Sequence, residues 1–390
     1  MIPTRIRTKT LFWGSIACSA CSLCTGAYGQ GKLDASVAGV RQYESNIFQL
    51  SDTVAQQSGL GLARSDWIDE PLADLDTEYR AGPQRLYASG EARRFVYERF
   101  DTFDRDEYNW RSGLDWKLTS LLDGGLSYGQ DRLMLPEQNR AAPSLNRDME
   151  FDRSANGSAN LNIAPEWRVE SRVDWTRQNS PAPDAEFRYN QTAYTLAAKY
   201  LGIAHVAAGL EGQYSVGNYA DALLSSQYRQ FTGALTGELT GSAVSTLSVD
   251  LGMSRRADDS GQQGVSSGFS GDLKYRRTIS GKTQFAVDLF RLITTYPSTA
   301  DTVQQTGASF DARYSATRKI NVQLLAEYLD DSFQQAARRD RTAIARLGVD
   351  YAALRWFELS PAIQWQSRYS TDYFYSFADT VVSLEAKLKY

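Results

Sequence analysis

Alternation with a period of two runs through almost the whole chain, and it is the feature that most restricts what the chain can become. In the last eleven residues Val382, Leu384, Ala386, Leu388 and Tyr390 share one face, and Ser383, Glu385, Lys387 and Lys389 share the other. That is a strand with one apolar and one polar side. The split recurs at 108–118, where Tyr108, Trp110, Leu114, Trp116 and Leu118 oppose Asn109, Arg111, Asp115 and Lys117. It recurs again at 167–175, where Trp167, Val169, Val173 and Trp175 oppose Arg168, Glu170, Arg172 and Asp174, and at 320–328. A chain that ends on an exposed apolar stripe invites edge-to-edge association unless a second sheet or a bilayer covers it.

The N-terminus favours the bilayer. Arg5, Arg7 and Lys9 precede an uncharged run from Leu11 to Cys24, followed by Ala27, Tyr28 and Gly29. This reads as a secretory signal peptide over 1–29, leaving 30–390 as the mature barrel. The uncharged run is about 14 residues, short of the roughly 20 that a membrane-spanning helix needs. Cys18, Cys21 and Cys24 all fall inside it, so disulfides, thiol catalysis and cysteine-bound metals are not expected in the mature chain. Without Arg5, Arg7 and Lys9 the 42 basic residues become 39 against 46 acidic ones, a net charge of −7. Nothing in that balance suits nucleic acid. No later segment holds 18 consecutive apolar residues, which excludes a helical membrane protein. An outer-membrane barrel looks polar overall because only every second residue of a strand meets lipid.

Connector lengths separate a barrel from a soluble sandwich, whose strands also alternate. Short connectors fall near 119–121, 164–166, 201–202, 240–241, 280–281, 317–318 and 353–354. Longer polar ones fall at 134–147, 217–226, 257–264 and 369–376. Short periplasmic turns alternating with longer external loops are the asymmetry of an outer-membrane barrel. Trp110 and Trp116, like Trp167 and Trp175, are spaced to reach the two interfaces of an apolar band about 25 Å tall. Counting back from Tyr390 gives sixteen strands beginning near Gln84. Two more fit upstream, over 37–48 and 66–79, with Gly82 and Pro83 turning into the next. The expected fold is therefore an all-β, transmembrane antiparallel barrel of 18 strands, with 16 as the alternative because 66–80 alternates poorly. Pro361, inside an outward face, is expected to sit at a bulge, since a closed barrel has no free edge for its missing N–H.

Little in the chain points to catalysis. His205 is the one histidine, too few for a histidine metal cluster, and the strand 203–216 would turn it to the lumen at the periplasmic end. No catalytic, cofactor or metal residue is expected. The inward charges Arg111, Asp115, Lys117, Arg168, Glu170, Arg172, Asp174, Arg276 and Arg313 are candidates for lining a hydrated path, as are Asp272, Lys274, Asp311, Glu358, Glu385 and Lys387. Their alternating signs can equally pair across strands and simply solvate the interior. Tyr373 and Tyr375, in the aromatic loop 369–377, are candidate glycan contacts by ring stacking; an interfacial girdle explains the same residues.

The stretch Tyr43-Glu44-Ser45-Asn46-Ile47-Phe48-Gln49-Leu50-Ser51-Asp52 resembles the opening signature of the exopolysaccharide-biosynthesis outer-membrane barrels of the EpsL type, which accompany exosortase systems. Pro83-Gln84-Arg85-Leu86 is similar to that family's turn between its second and third strands, and Asn109-Trp110 through Leu114-Asp115-Trp116 is a third match. Glu44 stands where the family has Asp, and Pro83 where it has Arg. The resemblance covers essentially the mature chain. It implies an outer-membrane component of a Gram-negative polysaccharide pathway, with polysaccharide, outer-membrane lipid and periplasmic export machinery as partners and no catalytic residues. The expectation is a passive conduit for the polymer, the alternatives being a surface-anchoring barrel or a general diffusion porin.

Overall fold

The computed structural model describes residues 29–57, 64–134, 148–180, 187–221, 225–242, 244–259, 265–296, 301–334 and 336–390. The expected signal peptide lies outside them except for Gly29, which begins the first strand. The strands are β1 (Gly29–Glu44), β2 (Asp66–Ala81), β3 (Gln84–Tyr97), β4 (Arg105–Lys117), β5 (Leu122–Met134), β6 (Met149–Ala164), β7 (Trp167–Ser180), β8 (Phe187–Ile203) and β9 (Val206–Asp221). They continue with β10 (Ser225–Ser242), β11 (Ser245–Asp258), β12 (Val265–Ser280), β13 (Thr283–Tyr296), β14 (Asp301–Ser315), β15 (Ile320–Phe333), β16 (Arg339–Leu354), β17 (Phe357–Ser370) and β18 (Phe377–Lys389). One short helix, α1 (Asp52–Gln57), follows β1.

Every strand pairs antiparallel with its sequence neighbours, and β1 also pairs with β18 from Ser36↔Lys389 to Glu44↔Val381, so the 18-stranded sheet closes on itself. The poorly alternating segment is a full strand: β2 matches β1 residue for residue from Gly29↔Ala81 to Glu44↔Asp66. Its pattern is weak because apolar Ile68, wholly buried, faces inward near its start while the charged Asp69 faces outward and is exposed. Followed from strand to strand, the register climbs and does not return to its starting residue. Such a stagger tilts the strands by about 40° to the barrel axis.

The outward face is apolar where lipid would meet it. Leu210, Leu235 and Leu251 are register partners on three adjacent strands and are 64%, 62% and 47% exposed. In water such a wall would forfeit roughly 25 cal/mol for each Å² of apolar surface left uncovered. Aromatic residues flank this zone on both sides. Trp116, Tyr79, and Trp167 against Tyr200 (ring centroids 5.1 Å apart) lie toward the short turns. Tyr43 against Trp67 (5.4 Å), Trp175 and Trp365 lie toward the other end. With all eighteen strands hydrogen-bonded side to side in a closed sheet and two aromatic girdles around an apolar belt, the chain is an outer-membrane barrel of a Gram-negative envelope.

Both strand ends of the chain lie on the side of the short turns, the periplasmic side. Gly82, in the left-handed region at φ 60°, makes the turn into Pro83 as expected. Gly124 faces Trp116 across the ladder, and a Cβ there would lie 2.4 Å from the indole. The longer connectors lie on the extracellular side. Parts of three expected ones, 135–147, 222–224 and 260–264, fall outside the described residues. The strands reach further into them than the sequence suggests, β9 to Asp221 and β10 from Ser225.

The expected bulge at Pro361 does not form. Pro361 keeps register with Leu384 on β18, and on β16 the register is unchanged from Gly348↔Ala362 to Tyr351↔Leu359. The ladder skips the intervening pairs on the β16 side, where the missing N–H would have donated, and the shift comes later, between Tyr351 and Leu354. Leu235→Arg, on the lipid face midway across, is expected to destabilise the barrel by about 2–4 kcal/mol. Thr236→Arg, on the inward face, should cost less than about 1 kcal/mol. Urea unfolding midpoints in vesicles measure both, and equal losses would contradict the assigned facing.

Candidate functional site: the lumen and its extracellular end

The inward face is crowded with charge, and acids outnumber bases along much of it. β2 alone turns Asp66, Glu70, Asp74, Asp76 and Glu78 inward against Arg80. The register places Arg111, Asp115 and Lys117 of β4, Arg168, Glu170, Arg172 and Asp174 of β7, and Arg276 of β12 on this face. Arg313 of β14 joins them. Many are paired. Arg85 reaches both Asp115 (2.9 Å) and Glu78 (3.0 Å). Arg168 contacts Glu170 (3.2 Å) and Asp123 (3.5 Å), and Glu170 also holds Lys199 at 2.8 Å. Lys387 binds Asp74 at 2.8 Å. Half-exposed pairs of this kind contribute about 0–1 kcal/mol each, so their main effect is to set the field inside the lumen. Between the walls formed by β1–β3 and β14–β18 lies a cavity of about 490 Å³, where Glu70, Glu91, Asp350 and Glu385 face Arg93 and Arg346.

The extracellular end is different: there the inward side chains are buried. The segment after β1 folds inside the wall, because Ile47, Phe48, Leu50, Val54 and Ala55 pack on the inward-facing Ile68, Phe95 and Tyr97. Phe48 meets Phe100 and Phe103 edge to face, at 5.0 and 5.2 Å. A carboxylate holds this segment down. Ser45 Oγ and the backbone N–H of Asn46 both donate to Asp379 Oδ1, at 2.8 and 2.9 Å. Asn46 Nδ2 donates to the carbonyls of Leu50 (2.9 Å) and Ala378 (3.0 Å), and its Oδ1 accepts from Leu50 N. Asn46 is 1% exposed and Asp379 5%, so each bond lies in a site where an unmade partner is costly.

Two further clusters narrow the same end. Tyr189 and Tyr228 touch through their hydroxyls at 2.7 Å, with the Arg256 guanidinium 3.7 Å over the Tyr228 ring. Across the barrel, the Arg338 guanidinium lies 3.4 Å from the Tyr375 ring and 4.3 Å from that of Phe333. Gln334, between β15 and β16, donates to Ser266 of β12 at 2.8 Å and so reaches over two strands.

The residues singled out from the sequence divide accordingly. Glu44 ends β1 opposite Val381 and Asp66, while Ser45 and Asn46 form the anchor just described. Gln84 closes the end of β4, accepting from Lys117 N (3.1 Å) and donating to its carbonyl (3.0 Å), and Arg85 turns into the lumen. Tyr373 is 48% exposed at the outer surface, but Tyr375 is buried under Arg338 and so is a packing residue with no face left for a sugar ring. His205 is a second correction: it occupies the turn between β8 and β9 at φ 65°, exposed and not on the lumenal face of a strand. Asp379 was not anticipated. The run Ile47, Phe48, Leu50 and Val54 in a connector was the available signal that something must cover it.

No family model and no curated protein matches the chain. Among solved structures it is similar to Pseudomonas aeruginosa OpdK with vanillate (10% identity, TM-score 0.47, 92% of this chain and 99% of that one). It is also similar to P. aeruginosa OccK2 (OpdF) in complex with glucuronate, at 10% identity and TM-score 0.46 over 92% and 98%. The copper transporter OprC gives 11% identity and TM-score 0.45 over 88% and 63%.

Asp379→Ala leaves two donors of a buried segment without an acceptor, at about 1–3 kcal/mol for the anchor. The expected outcome is a closed barrel whose 45–57 segment becomes open to limited proteolysis. Unchanged protection of that segment would show that apolar packing alone holds it.

Proposed function

We propose that the barrel is a passive diffusion channel for small polar solutes, narrowed at its extracellular end and biased toward cations. The observation that carries this reading is the difference between the two ends of the inward face. Toward the extracellular side Asp66, Ile68, Val303, Asp340 and Asp379 are buried, while toward the periplasm the side chains of Arg85, Arg168 and Lys387 keep 41%, 31% and 26% of their exposure. A hydrated lumen that tapers to a packed constriction suits solutes that pass singly through weak contacts, since tight binding would stop transit. The surplus of lumenal carboxylates raises local cation concentration.

Export of a polysaccharide, which the family resemblance implies, is the finer reading. It needs a lumen that admits a hydrated polymer along its whole length, and the packed extracellular end weighs against that. Contact with polysaccharide or periplasmic export machinery rests on the resemblance alone.

Single-channel recording of the refolded mature chain tests the proposal. The expected result is a small, steady conductance, a reversal potential on the cation side in a salt gradient, and no block by fragments of the host polysaccharide. Glu70→Gln with Glu385→Gln should lower the cation preference. Block by the fragments would favour a polymer conduit, and absence of conductance would favour a surface anchor.

A further inference from the structure

Toward the extracellular ends of the strands, the outward face changes from apolar to basic. On one side of the barrel the arginines there are matched by acids. Arg41 binds Asp69 at 2.7 Å, Arg94 approaches Asp106 at 3.8 Å, and Arg339 and Arg341 share Asp330 at 2.6 and 3.7 Å. From β5 to β7 no such match exists among the described residues. Arg132, Arg153 and Arg177 lie on three adjacent strands, and the outward positions of those strands hold no Asp or Glu.

Two details show that this is more than a basic fringe. Arg153 and Arg177 are direct register partners, two like charges opposed on neighbouring strands, an arrangement that destabilises a sheet unless an anion sits between them. Beside them a groove of about 340 Å³ is bordered by Arg177 and Arg188 and lined by Trp175, Asn190 and Asn218. Asn190 Oδ1 is buried there without a hydrogen-bond partner, an acceptor in wait of a donor. Trp175 lies two residues below Arg177 in the upper aromatic girdle, so the groove opens at the height of the lipid headgroups.

We propose that this patch binds the phosphorylated sugar headgroup of an outer-leaflet glycolipid. Arg153 and Arg177, with Arg132 beside them, hold the phosphate through the paired N–H donors of their guanidinium groups. A sugar hydroxyl donates to Asn190 Oδ1, and the Trp175 ring packs at the boundary between headgroup and acyl chains. The site lies on the outer wall and is independent of what the lumen conducts.

Native mass spectrometry of the purified barrel with bis-phosphorylated lipid A and with its dephosphorylated form tests the assignment. The phosphorylated form should bind about tenfold more tightly. R153Q/R177Q should remove that preference while the barrel keeps its heat-modifiable gel migration, R153K/R177K should keep part of it, and R339Q/R341Q should keep all of it. Should the double variant not fold, Arg177→Gln alone should still lower the preference about threefold. Equal binding of the two lipids, a preference that survives in R153Q/R177Q, or displacement of the lipid by millimolar inorganic phosphate would overturn the proposal.

Discussion

The hydrogen-bonded seam between β1 and β18 is the interaction on which the rest depends. A sheet of eighteen strands in a bilayer cannot leave an edge, because each unpaired backbone group in hydrocarbon costs several kcal/mol. Nine register pairs, Ser36↔Lys389 to Glu44↔Val381, remove both edges together. The seam also delivers Asp379 to the side of Ser45 and Asn46, residues more than 330 positions away in the chain. Closure of the wall and anchoring of the in-folded segment are thus one structural event.

From closure follows a separation of charge. Inward positions take the carboxylates of β2 and the mixed ladder of β4 and β7, where many of the ions pair across strands. Outward positions are apolar between the aromatic girdles and basic above them. The same alternation that hides Asp131 and Asp152 inside leaves Arg132 and Arg153 outside. One strand can therefore present carboxylates to the lumen and arginines to the outer rim, with only the side of the pleat deciding which.

Much of the wall was legible in the residues themselves. The facing of Trp110, Trp116, Trp167 and Trp175, the inward ladder, the Gly82–Pro83 turn and the strand count follow from a period of two and from connector length, because lipid on one side and water on the other impose opposite demands on successive residues. Where that contrast fails, the reading fails too. β2 alternates poorly because Ile68 and Leu72 face inward beneath packed connections or charged neighbours. Tyr375 looked like its neighbour Tyr373, yet one lies under Arg338 and the other at the surface. Pro361 looked like a bulge, but a ladder can skip two pairs and keep its register.

The sequence by itself determined an exported, membrane-embedded antiparallel barrel, since local alternation and the absence of long apolar runs are properties of neighbouring residues. Only the tertiary structure decided that the extracellular end is packed, that Asp379 anchors the segment after β1, and that Arg153 and Arg177 stand face to face. Each of these depends on which strands lie side by side and in what register. That is fixed by the closed ladder as a whole, and no window of the chain contains it.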